Sequence, residues 1–187
     1  YYNFKGLNLS IETLDGLIKH NGPLNNLDKL NKILGKNFFK DKINFKNSPS
    51  LEAQIASISD DIAYNSHDLE DGLKANLFSI DEISEIPVLK DIIKKHKGKI
   101  NKFSKELVLR QIIREIINEM VEDVILNIKK NLKTNNIKSV KDVYKFKYPL
   151  VNFSKKMRKF DENVKSFLKE NMYYNKNVIH KTNYGKK

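Results

Sequence analysis

Cysteine is absent from all 187 residues, so neither disulfide bridges nor thiolate metal ligands are available to this chain. No apolar run approaches the roughly 18 residues that a membrane-spanning helix needs. No internal repeat is present. Arginine is scarce: of 35 basic residues only Arg110, Arg114 and Arg158 are arginines, and the rest are lysine. The net charge of +12 and the pI of about 9.6 would suit a polyanionic partner, because clustered cations release counterions on binding. Here lysine is interleaved with asparagine and isoleucine throughout, the bias that an AT-rich genome imposes on a solvated surface, so nucleic acid is only a weak expectation. The first residue is Tyr rather than Met, and YYNFKGLNLS is neither a signal nor a transit peptide. The expectation is a stretch of a longer cytoplasmic protein with no membrane partner.

A second absence is local. From Asn47 to Leu73 there is no Lys or Arg, while Asp60, Asp61, Asp68, Glu70 and Asp71 all fall there. A basic chain that clears its cations from one segment and fills it with carboxylates is building a site for something positive, and a divalent metal is the first candidate. With 40% hydrophobic content and this length, a sizeable core and one domain over 1–187 are expected.

The hydrophobic period is helical nearly everywhere, which predicts an all-α class. Ser10 is placed to cap a helix over SIETLDGLIKH that the turn Asn21-Gly22-Pro23 ends. Leu27, Leu30, Ile33 and Leu34 suggest a short helix, followed by an irregular Phe-rich connection. Ser48-Pro49 reads as the start of a helix reaching about Leu77, with the Ser48 hydroxyl accepting from a free amide. Ser79 and Glu82 form a capping box for a short helix that Pro87 interrupts, and the basic HKGK segment at 96–99 reads as a loop with an exposed His96. Ser104 opens the longest periodic run, through Leu107, Ile113, Ile117, Met120, Val124 and Ile128. The stretch Lys138–Tyr148 is ambiguous and its Val, Tyr and Phe content permits a strand. The last helix runs from about Ser154 to Tyr173, before a frayed tail.

On a helical wheel of the 51–73 segment, Leu51, Ile55, Ile58, Ile62, Leu69 and Leu73 share one arc. Asp60, Tyr64, His67, Asp68 and Asp71 share the opposite one. Any amphipathic helix has a polar face, but a merely solvated face in this chain would be expected to carry lysine. Ala53, Ala56, Ser57, Ser59, Ala63 and Ser66 are small, which lets neighbouring elements approach. Of the remaining histidines, His20 ends the first helix, where capping or packing is a more natural role than ligation, and His180 lies in the tail.

These residues carry a resemblance. SLEAQIASISDDIAYNSHDLEDGL resembles the signature segment of the deoxyguanosinetriphosphate triphosphohydrolase-like family, the bacterial deoxynucleoside triphosphate (dNTP) triphosphohydrolases of the HD-domain superfamily. LNLSIETLDGLIKHNGPL resembles that family's LNLT-x-ETLEGLLKHNGP segment at the expected spacing, and FSKKMRKFDENVKSFLKENMYYN resembles its C-terminal helix. The resemblance implies an all-α, multi-helix HD-domain-like assembly of which this chain is the C-terminal part. Residues 1–78 then close the HD catalytic core and 79–187 form the C-terminal helical region.

The resemblance further implies that Asp60, in the DDIAY element, is a ligand to a divalent metal such as Mg or Mn. Tyr64 and Asp68 would contact the sugar of a dNTP, with the Asp68 carboxylate accepting a hydrogen bond from the 3′-hydroxyl. Asp61 and His67 adjoin that face and are candidates to support the groups that touch the ligand. The family's remaining metal ligands, a His and a His-Asp pair, and its catalytic His/Glu segment precede the LNLT-like element and are not in this chain; His67-Asp68 matches the YN-x-HD element instead. The expected function is therefore metal-dependent hydrolysis of a dNTP, dGTP-like, to deoxynucleoside and triphosphate. The chain would act as the C-terminal part of the enzyme, inactive alone, with an N-terminal half or sister polypeptide as partner and a homo-oligomer as the complete form. In an assembly that includes that half, Asp60, Tyr64 and Asp68 are expected to line a concave, poorly solvated pocket. The alternative from a different class is a catalytically dead helical module that binds a partner chain or nucleic acid through its lysine-rich surface.

Overall fold

The computed structural model describes residues 3, 6–35, 42–100, 104–176 and 178–179. His180 and most of the Phe-rich connection lie outside them. Among the described residues the elements are α-helices, with no strand. They are α1 (Ile11–Ile18), α2 (Asp28–Leu34), α3 (Leu51–Lys74), α4 (Ile80–Ile83), α5 (Pro87–Ile100), α6 (Lys105–Thr134), α7 (Val140–Lys145) and α8 (Lys155–Leu168). A π-helical turn, Lys169–Tyr173, follows α8 directly. No helix among the described residues is long and apolar enough to cross a membrane.

The chain divides into two compact units, each made of two stretches. The first comprises Tyr1–Ser59 and Ile128–Asn152. In it α1 starts as its sequence dictates, with the Ser10 side chain accepting from the Thr13 amide at 3.2 Å. It ends at Lys19, and Gly22, at φ +105°, takes the left-handed conformation that the turn before Pro23 requires. Gly16 lets α1 lie close to α3, since a Cβ there would stand 3.3 Å from that of Ala53. Lys19 is almost fully buried, paired with Asp15 at 2.6 Å and set over the Tyr144 ring at 5.7 Å. The buried Gln54 ties the beginning of α3 to the segment after α7. Its Oε1 accepts from the amides of Leu150 at 2.8 Å and Val151 at 3.1 Å, and its Nε2 donates to the Pro49 carbonyl at 2.9 Å. Ile43, Ala53, Ile58, Val143, Leu150 and Val151 form the apolar interior of this unit.

The second unit comprises Asp60–Asn127 and Phe153–Lys187. Ile62, Leu69 and Leu73 of α3, Leu89 and Ile92 of α5, Ile112, Ile116 and Met120 of α6, and Phe160, Val164 and Leu168 of α8 build its core. Ser79 and Glu82 make the capping box that starts α4. Asp123 of α6 holds the start of α8 by accepting from the Ser154 amide at 2.8 Å and hydroxyl at 2.5 Å. At the end of α3, the Phe78 ring lies against Gly72 and meets Phe167 edge-on at a centroid distance of 4.9 Å.

Several local expectations are corrected. The HKGK segment is not a loop: α5 continues through it, and His96 is buried, with Nε2 2.5 Å from Glu115 of α6. The reason is periodicity, since His96 falls four residues after Ile92 on the face that Leu89, Ile92 and Ile93 bury. Ser48 does not cap α3; its hydroxyl donates to the Phe146 carbonyl, and Ser50 accepts from the Ala53 amide instead. Pro87 does not break a helix but opens α5, where its missing amide costs nothing. Residues 140–145, ambiguous in the sequence, are helical, because Ser139 and Asp142 form a second capping box. Ile33, Ile55 and Leu107, assigned to apolar faces, are exposed.

Candidate ligand-binding face of α3

Asp60, Tyr64 and Asp68 are four residues apart along α3, so the helix places them on one face at one-turn intervals. In this chain that face is open: Asp60, Tyr64 and His67 are exposed, Tyr64 at 61%, and Asp68 is half-buried. The opposite face, through Ile58, Ile62, Leu69 and Leu73, is buried as the wheel predicts.

Beside the open face, α8 and the π turn fasten three α3 side chains. Asn65, buried, donates to Asp161 Oδ1 at 2.6 Å. Lys165 bridges two carboxylates, Asp161 at 3.0 Å and Asp61 at 3.2 Å. The Tyr173 hydroxyl donates to Asp68 Oδ2. Burial raises the Asp161 carboxyl above the usual carboxylate range, outweighing the opposing pull of Lys165 and the Asn65 hydrogen bond. Burial works against the Lys165 charge too, but hydrogen bonds and attraction from Asp161 and Asp61 prevail and its pKa is raised. Tyr173 is pushed up by burial first and by Asp68 second.

Asp61 is therefore committed to Lys165, and Asp68 has one oxygen engaged and is held in place by a tyrosine. Sequence reasoning missed Asn65, Asp161, Lys165 and Tyr173. The signal was present, because Asn65 lies in the central family-like segment and the other three in the C-terminal one, and the structure brings these segments together. As for a metal, Asp60 offers one hard oxygen donor. Among the described residues no group of three or more His, Asp or Glu is placed to hold an ion. The donors present do not fit a complete metal site by themselves, and any metal at Asp60 needs ligands from outside this set.

No protein-family model matches the chain. Curated relatives do. A deoxyguanosinetriphosphate triphosphohydrolase-like protein of Pelagibacter ubique is 52% identical over the whole chain, which covers 50% of that relative. Proteins with the same description from Bartonella tribocorum and Neorickettsia sennetsu are 36% and 35% identical, over 100% and 93% of the chain and 48% and 44% of their own lengths. The chain thus spans about half the length of the curated relatives it matches. With this similarity running through both the α3 face and the α8 segment that fastens it, the chain belongs to the deoxyguanosinetriphosphate triphosphohydrolase-like family.

Proposed function

We propose that this chain is part of a cytoplasmic hydrolase that cleaves a deoxynucleoside triphosphate, dGTP or a close analogue, into a deoxynucleoside and intact triphosphate with the help of a divalent metal. The observation that carries this reading is the 52% identity over the whole chain to a relative twice its length, described as deoxyguanosinetriphosphate triphosphohydrolase-like. The open α3 face supports it chemically. Asp60 is a hard oxygen donor, Tyr64 offers an aromatic surface for a sugar, and Asp68 is an acceptor for a sugar hydroxyl. A metal there would supply Lewis acidity toward phosphate and a more acidic bound water. One carboxylate cannot hold such an ion against water alone, so the other ligands and the catalytic groups come from a further half of the protein, and the chain by itself is inactive.

The test is a product analysis. The protein with both halves present, given dGTP and Mn²⁺ or Mg²⁺, is expected to release triphosphate and deoxyguanosine in equal amounts. Release of orthophosphate or pyrophosphate, or no turnover, overturns the reading.

A further inference from the structure

The Asp68 carboxylate already has one partner. Tyr173 donates its hydroxyl to Oδ2, and no described residue donates to Oδ1. Tyr173 is the last residue of the π turn Lys169–Tyr173, in which the Tyr174 amide bonds to the Lys169 carbonyl, five residues back, at 3.0 Å. A π turn accommodates an extra residue, so it re-aims the side chains that follow relative to an uninterrupted α-helix, and such turns concentrate at functional sites. Here the side chain at the end of the turn reaches α3. The phenol remains protonated, and hence a donor, throughout the neutral range, because burial and the adjacent carboxylate both oppose its ionisation.

A carboxylate on a helix surface samples several rotamers and presents either oxygen to solvent. A phenol bonded to one oxygen removes that freedom, while the other oxygen keeps its lone pairs. Building on the reading of Asp68 as the sugar-hydroxyl acceptor, we propose that Tyr173 is a positioning residue for it. Tyr173 fixes the Asp68 rotamer through Oδ2 and leaves Oδ1 to accept the 3′-hydroxyl, and so sets the preference for nucleotides that carry that hydroxyl.

The experiment compares kcat/KM for dGTP and for 2′,3′-dideoxyguanosine triphosphate in the protein with both halves present. In Tyr173→Phe the preference for dGTP is expected to fall by about fivefold to tenfold, the value of one charge-assisted hydrogen bond made less well. The loss should sit in KM for dGTP, with the dideoxy analogue scarcely affected. In an Asp68→Asn background the same substitution should change the preference no further. A Tyr173→Phe protein that melts earlier but keeps the wild-type preference overturns the proposal and makes Tyr173 merely structural. One that binds dGTP more tightly also overturns it and makes Tyr173 a competitor for Asp68. If Tyr173→Phe does not fold, Asp68→Asn alone decides, since an unchanged preference there removes the premise. Failure of the wild-type protein to act on either nucleotide refutes the proposed function itself, a result separate from a wild type that discriminates and a variant that discriminates equally well.

Discussion

Asp161 is a carboxylate that folding places where it is hardest to ionise, yet it is the acceptor on which Asn65 and Lys165 depend. Removing it leaves the Asn65 amide buried without its partner, so Asp161→Ala should cost about 1–3 kcal/mol in urea unfolding. Asp161→Asn should cost less, because its side-chain oxygen can still accept from Asn65. The two proteins should also differ in pH dependence. The folded pKa of Asp161 is raised, so between the ordinary carboxylate value and that raised value the folded state holds more protons than the unfolded one. Its contribution is therefore fully present below the ordinary value and is lost as pH rises through the folded value. The stability advantage of wild type over Asp161→Asn should be largest in acid and shrink toward neutrality, and an advantage that grows with pH would refute the assignment. His96 teaches a related lesson about single residues. Its flanking lysines suggest solvent, but Glu115, nineteen positions away and on another helix, shares its burial. Nothing local to HKGK announces that partner, whereas the spacing from Ile92 does.

Helix starts were legible where the signal lies within one turn. Ser10, Ser79, Ser104 and Ser154 each accept from the amide three residues on. Ser48 failed because a partner distant in sequence, the Phe146 carbonyl, takes its hydroxyl. The α3 wheel succeeded for Ile58, Ile62, Leu69 and Leu73 and failed for Ile55, since amphipathicity gives the face but not where along the helix other elements cover it. The π turn left no trace in the apolar period. Two substitutions test how α3 is held. Gly72→Ala would place a Cβ 2.2 Å from the Phe78 ring, itself packed against Phe167. The helix propensity gained is at most about 1 kcal/mol, and overpacking costs about 1–3 kcal/mol. The clash should win, lowering the melting temperature; a rise would mean the ring moves freely. At the other end, Gln54→Leu removes the acceptor from two buried backbone amides, and about 2 kcal/mol or more should be lost on the same scale. A neutral Gln54→Leu would show that those amides find other partners.

At the scale of the whole protein, the chain accounts for about half of its relatives' length, and among the described residues Asp60 is its candidate metal ligand, on an open face of α3. If the other half brings a His and a His-Asp pair, co-expression with this chain should yield a soluble complex. Apolar surface buried between the halves would contribute roughly 25 cal/mol per Å² before the costs of association. The chain alone should release no triphosphate from dGTP. In the complex, Asp60→Asn keeps the shape of the side chain and removes its charge, so metal-dependent turnover should fall below about one hundredth of wild type. Asp68→Ala removes one hydrogen bond to the sugar and should raise KM by about tenfold with a smaller effect on kcat. Glu70 is the control of like charge on the same helix. It is paired with Lys74 at 2.7 Å and turned away from the Asp60 face, so Glu70→Ala should stay within about twofold of wild type. The order of the three variants is more telling than any one value, because a general effect of lost negative charge on α3 would fall on all three alike, whereas loss of the metal ligand falls on Asp60 alone. An active Asp60→Asn complex, or one more sensitive to Glu70 than to Asp60, would place the metal somewhere other than on α3.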